Sequence, residues 1–218
     1  MAPDESPKPR GRRTVAIAVA IVLVAIGAFA AGRVSTSFVS TPSTTSAAAG
    51  FARDMQVHHD QGVQLAMLIR DRSTDDNIRG LAYDIATSQA NQSGQMLAWL
   101  YEWKLPPVSP EPAMTWMTRP TLTGAGHNHG TEGIHQPGDP MPGLATREQI
   151  ETLTALDGVE AEKYFLELMI AHHEGAVDMA KAVLDRTEVP VTVNLATTII
   201  TAQSSEIRYM EQLLADRS

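Results

Sequence analysis

The strongest constraint on this chain is that part of it occurs twice. Met55-Gln56-Val57-His58-His59 returns 114 residues later as Met169-Ile170-Ala171-His172-His173, and the likeness continues without a gap for some forty residues. Val63 matches Val177, Ala66 matches Ala180, Asp71-Arg72 match Asp185-Arg186, Leu81-Ala82 match Leu195-Ala196, and Ile85, Gln89 and Met96 match Ile199, Gln203 and Met210. A fixed offset through two helical patterns and the turn between them means that one supersecondary unit is repeated, as expected of a unit that cannot bury its apolar face alone. The copies carry four of the seven histidines, and His127, His129 and His135 fall between them.

Within each copy the apolar period is helical. Phe51, Met55, Gly62, Ala66 and Ile69 mark a first helix to Arg72. Ser73-Thr74-Asp75-Asp76 supplies a cap and acidic first turn for a second, from Asp76 to about Trp103, with Ile78, Leu81, Ile85, Met96 and Trp99 inward. Leu105-Pro106-Pro107 stops it. Residues 104–145 then hold eight of thirteen prolines and six of fifteen glycines with no sustained period. Thr146-Arg147-Glu148-Gln149 has the capping-box form and opens a short helix to about Leu156, broken by Asp157-Gly158. A long helix follows from Val159 to Asp185, with Phe165, Met169, Ala176, Ala180 and Val183 on one stripe. The last helix starts at Pro190, where a first turn tolerates proline, and runs to about Leu214. Two half-apolar hairpins bury their stripes best against each other, so the expected fold class is all-α, a four-helix bundle of two repeated hairpins.

Four further segments are expected. Residues 1–13 form a basic tail with Lys8, Arg10, Arg12 and Arg13, and 14–32 a transmembrane anchor or signal peptide with about eighteen uncharged residues from Val15 to Gly32. The run exceeds the ~7–15 residues usual for a signal core, which favours an uncleaved single-pass anchor, although Ala28-Phe29-Ala30 resembles a cleavage site and leaves secretion as the alternative. Residues 33–49 are polar enough to be a flexible tether, and 50–218 form the domain outside the cytoplasm. There is no cysteine, so neither a disulfide nor a thiolate metal site exists. The net charge is −8, and −10 without the tail, which disfavours nucleic acid and attracts cations.

On a helical projection His58 and His59 flank Gly62 at the inward face, and His172 and His173 flank Ala176 in the same way. Met55 and Met169 stand one turn before them, and Met179 lies further along the second stripe. The partner helices add Gln92, Met96, Glu206 and Met210. Imidazole with thioether is a soft-to-borderline set that suits copper, Cu(I) especially, while Glu206 would also admit iron, zinc or manganese. A di-iron centre of the ferritin type needs inward carboxylates from all four helices, whereas Glu132 to His135, the one Glu-x-x-His, lies in the loop. His127, His129 and His135, with Met114, Met117 and Met141 nearby, form a second candidate metal cluster on composition alone. The competing explanation is packing. Buried histidines are ordinarily hydrogen-bonded core residues, Met67 is expected as core filler, and Trp99, Trp103 and the pair Gln89/Gln203 as packing and inter-helix hydrogen bonds. No Ser/His/Asp set, phosphate loop or dinucleotide fingerprint is present, so no organic cofactor is indicated and most enzyme classes lack a foothold.

Met-x-x-His-His-x-x-x-Val-x-x-Ala at 55–66, Met-Ile-Ala-His-His-Glu-Gly-Ala-Val-Asp-Met-Ala at 169–180 and Gln-x-x-Glu-Ile-x-x-Met at 203–210 resemble the bacterial "domain of unknown function 305" family. The resemblance implies a ferritin-like four-helix bundle, generally exported, with extracytoplasmic copper-binding members. It implies Met55, His58, His59, Met169, His172, His173 and Met179 as ligands, supported by Met96 and Met210. Gln92-Ser93 stand where the family has Glu-Ile, and Leu65 where the second copy has Met179, which makes the first half-site poorer in donors. The resulting expectation is an extracytoplasmic protein that buffers, sequesters or relays copper, as Cu(I) or Cu(II), at the cytoplasmic membrane. A homo-oligomer is compatible with it. The alternatives are a structural or adaptor bundle with packed histidines and, more weakly, a metal-dependent oxidase. Free imidazoles titrate near ~6.5, so copper affinity is expected to fall steeply below about pH 6.

Overall fold

The computed structural model describes residues 20–29, 41–124 and 136–217. The basic tail and both ends of the expected anchor, 14–19 and 30–32, lie outside them. Residues 20–29 are helical, and among the described residues no helix is long and apolar enough to cross a membrane. This segment belongs to a unit separate from the compact body Pro42–Ser218.

That body is helical, and no strand occurs among its described residues. Its helices are α1 (Ala47–Arg72), α2 (Asp76–Glu102), α3 (Arg147–Ala155), α4 (Gly158–Leu184) and α5 (Pro190–Ala215), with a 3-10 turn at Thr115–Thr118. Most ends form where local chemistry places them. Asp75 Oδ1 accepts from the Asn77 and Ile78 amides at 2.8 and 3.1 Å, Thr146 and Gln149 close a reciprocal capping box, and Pro190 opens α5. Gly158 adopts φ +59, a left-handed conformation that separates α3 from α4. The stop after α2 is made one residue before Leu105-Pro106-Pro107. Lys104 turns left-handed at φ 58 while the Leu105 amide donates to the Leu100 carbonyl at 2.8 Å.

The tether expected at 33–49 ends earlier than the sequence implies. Ser46 caps α1 through the Ala49 amide at 3.2 Å, and Ala47, Ala48 and Ala49 are buried. Three alanines are good helix formers once a cap precedes them, which outweighs the Ser/Thr-rich flank.

Each hairpin packs α1 on α2 or α4 on α5, and the hairpins dock through α1 and α4. The apolar core falls into two lobes. Phe51, Met55, Met96, Met179, Val183 and Ile199 belong to one, and Leu65, Ile69, Ile85, Phe165, Met169 and Met210 to the other. Equivalent residues of the two copies thus sit in opposite lobes: Met55 against Met169, Met96 against Met210, Met179 against Leu65. An antiparallel docking of α1 on α4 requires that exchange, and it places the histidines of both copies between the lobes. Beyond the second lobe, Glu162 accepts from Ser73 Oγ at 2.6 Å and from Arg217 Nε at 2.8 Å, tying α4 to the α1/α2 turn and to the C-terminus.

The described parts of the long connection pack on the body. Asp54 Oδ2 accepts from the Met114 amide at 2.7 Å and from Trp116 Nε1 at 2.9 Å, and the Trp116 ring meets Phe51 edge-on. Arg53 holds the Pro106 and Thr44 carbonyls. A Cβ on Gly50 would lie 2.5 Å from Trp116 Cβ, so glycine is what admits that ring.

Candidate metal centre

Four imidazoles from two helices form a buried layer between the lobes. His58 and His59 on α1, and His172 and His173 on α4, are all 0% exposed. His58 and His172 stack at the centre with ring centroids 3.9 Å apart and planes inclined by 36°. Their chain neighbours stand outside them, at 6.3 Å from His58 to His59 and 6.1 Å from His172 to His173. A Cβ on Gly62 would lie 2.8 Å from His172 Cε1 and 2.0 Å from Gln89 Oε1, so this glycine gives His172 and Gln89 their space.

One nitrogen of each ring is engaged. His58 Nε2 donates to the Pro142 carbonyl at 2.9 Å, His172 Nε2 to the His58 carbonyl at 2.8 Å, His59 Nε2 to Gln92 Oε1 at 2.7 Å, and His173 Nε2 to Glu206 Oε2 at 2.8 Å. These oxygens accept, so the proton sits on Nε2. Every Nδ1 is buried without a partner. Burial pushes His58 down to about 4 and, with the neighbouring His58 adding to it, His59 to about 3. Burial, reinforced by His58 and His173, also holds His172 well below its ordinary value. At neutral pH those three Nδ1 atoms therefore carry free lone pairs. The acid edge expected near pH 6 for free imidazoles moves lower for the same reason: an imidazole removed from water resists taking a charge.

The layer contains further unanswered polar atoms. Gln89, expected to hydrogen-bond between helices, has no partner for either amide atom, and Gln203 has none for Oε1. Buried polar groups without partners are uncommon in native proteins, and Gln89 Oε1 sits with the His172 ring against Gly62. Above and below are thioethers. Met55, Met96, Met169, Met179 and Met210 are all fully buried, three in one lobe and two in the other.

The halves are not equivalent. Two-fold symmetry would pair His58 Nε2 with the His172 carbonyl as His172 pairs with His58, yet His58 turns to Pro142. The Met141-Pro142-Gly143 turn lies directly on α4. A Cβ on Gly175 would be 2.0 Å from the Pro142 carbonyl oxygen, and one on Gly143, at φ +72, 2.1 Å from that of Ala171. The acceptor for the outer imidazole also differs, an amide at Gln92 against a carboxylate at Glu206. Pro142, Gly143 and Gly175 carry no sequence signal for this role, because the contact spans 84 residues and uses backbone oxygen.

Among the described residues no three or more His, Asp or Glu side chains stand together so as to hold a metal ion as placed. His58 and His172 stack on each other, and the Nε2 of each ring is taken up by an oxygen. His127, His129 and His135 lie outside the described residues. Met114 and Met141, predicted beside them, are buried in the first lobe, and Met67, expected in the core, is 51% exposed.

With α1 and α4 each carrying the His-His pair in one helical body, the chain belongs to the "domain of unknown function (DUF305)" family, whose model matches residues 48–214. Among solved structures it is similar to a DUF305 protein of Streptomyces coelicolor assigned as secreted, at 46% identity and TM-score 0.69, covering 80% of this chain and 96% of that one. It is similar to a DUF305 fragment from Deinococcus radiodurans at 34% and 0.59, covering 76% and 93%. CopM in its Cu(II)-bound form is similar at 25% and 0.57, covering 77% and 95%, and CopM is also solved with Cu(I) and with silver. An uncharacterised protein of Acanthamoeba polyphaga mimivirus is 41% identical over 56 residues, 26% of this chain, which spans only 37% of that relative's length.

Proposed function

We propose that this protein binds copper outside the cytoplasm through His and Met side chains, and buffers, sequesters or relays it without catalysing a reaction. The observation that carries this is the set of four buried Nδ1 atoms with no partner, each on a ring whose Nε2 is fixed by an oxygen. That is the usual arrangement of a metal-binding histidine, one nitrogen held by an outer acceptor and the other left for the ion. Thioethers on both sides match the softness of Cu(I). The copper-bound forms of the similar protein CopM support the choice of ion. Met55, His58, His59, Met169, His172, His173 and Met179 are the donors, Met96, Met210 and Glu206 the support, with two unequal half-sites. The fold is read as a ferritin-like four-helix bundle whose two hairpins dock through α1 and α4. The likeness to a protein assigned as secreted fits export, with residues 14–32 as signal or anchor.

Elemental analysis of the full chain after copper loading and dialysis tests this, with one or two ions per chain expected. The variant His59→Gln/His173→Gln, checked for native helicity, should lose most of that copper. Full retention would remove these histidines as ligands.

A second assignment, an adaptor bundle with packed histidines, is favoured by the Nε2 bonds being complete and by the absence of a ready three-residue cage among the described residues. The two separate on melting. Copper at ~100 times its dissociation constant should stabilise a binding protein by about 2.7 kcal/mol, and should leave an adaptor unchanged.

A further inference from the structure

Ions that reach four fully buried imidazoles need a way in. Among the described residues the Met141-Pro142-Gly143 turn closes its own stretch of α4, because the backbones of Pro142 and Gly143 lie against Ala171 and Gly175 without room for a single added carbon. The opposite side is different. A groove of about 790 Å³ runs between α2 and α5, and Asp84, Ser88, Asn91, Gln92, Thr198 and Glu206 are among the residues that line it. Gln92 and Glu206 are also the side chains that accept from His59 Nε2 and His173 Nε2. Each outer imidazole is therefore one side chain away from the groove. The groove wall includes two charged residues, Asp84 and Glu206, both acidic, and no cation. A cleft of one sign concentrates ions of the other, here cations.

We infer that the α2/α5 groove is the route by which a copper ion enters and leaves the histidine layer, with Gln92 and Glu206 as the paired gate residues at its floor. The inference rests on the copper-binding assignment above. Glu206 meets the incoming cation with a partly exposed carboxylate, its side chain 28% accessible, and swings from His173 to release the ring. Gln92 does the same for His59 without charge, so the two half-sites load at different rates.

The chain lacks cysteine, so one thiol placed in it can be capped selectively with a bulky maleimide. Asn91→Cys on α2 and Thr198→Cys on α5 put the cap in the groove from opposite walls, and Thr152→Cys on the exposed face of α3 is the control. Cuprous ion is added anaerobically to each capped full chain, and uptake is followed in time and at equilibrium. Both groove caps are expected to slow loading at least tenfold relative to the control cap, with the same final stoichiometry. Equal rates in all three proteins, or a slow rate from only one groove position, would overturn the route. If neither the native chain nor the control retains cuprous ion, the copper-binding assignment falls and the route falls with it, a result distinct from copper bound at unaltered rates.

Discussion

At the scale of single residues, the cost of this protein's design is the burial of imidazoles without their charge. His58 and His59 are held to about 4 and about 3, while the same residues in an unfolded chain titrate near ~6.5. Below that pH the unfolded state takes up protons that the folded state refuses, so stability falls on acidification. The loss is complete only once pH has passed the folded values. Each of the two histidines contributes a slope approaching about 1.4 kcal/mol per pH unit between pH 6 and 4. Urea unfolding of the metal-free protein at pH 7, 6 and 5 should show this, and His59→Gln should flatten it. A stability independent of pH over that range would mean that the rings are wetter than their surroundings imply. At His58, His59 and His172, in contrast, protons should hardly compete with copper between pH 8 and 5 in the folded protein, because burial holds those nitrogens neutral.

Helices and turns bring in another kind of dependence, the fit of one backbone on another. Gly175 is in the middle of α4, where alanine would ordinarily gain about 1 kcal/mol in helix propensity. Its Cβ would meet the Pro142 carbonyl oxygen at 2.0 Å, and a backbone atom cannot step aside as a side chain does. Gly175→Ala is therefore expected to lower stability by about 1–3 kcal/mol, the range for overpacking, and to free His58 Nε2. Thermal melting checks the sign, and a stabilised variant would contradict the contact. Asp54 acts on the earlier part of the same connection. Burial raises its pKa, and it still accepts from Met114 and Trp116. Asp54→Ala leaves those donors without a partner, for a loss of about 2–4 kcal/mol. Trp116, now 3% exposed, should shift its fluorescence to the red as it gains water.

Across the whole molecule, the two lobes and the layer between them should respond as one body to metal. Silver, which shares the softness of Cu(I), should raise the melting temperature of the full chain as copper does, and zinc should do so much less if thioethers carry the affinity. Calorimetric melts with each ion in turn measure this order, and equal shifts from zinc and silver would assign the site to imidazoles alone.

Much of this molecule is legible in its sequence because the relevant physics is local. The repeat, the helix periods, the capping box at Thr146 and the proline at the start of α5 each depend on residues a few positions apart, and these helices form as expected. The burial of both His-His pairs and of five methionines follows from their place on the apolar stripe. What the tertiary structure alone decided is how the copies meet. The stacking of His58 on His172, the exchange of equivalent methionines between lobes, the Pro142 carbonyl at His58 and the unanswered amide of Gln89 all arise from the docking of two hairpins across a connection of some forty residues. Side-chain period carries no information about the direction of that docking. Nor can it show that a backbone oxygen 84 residues away will take one imidazole nitrogen and leave the other bare.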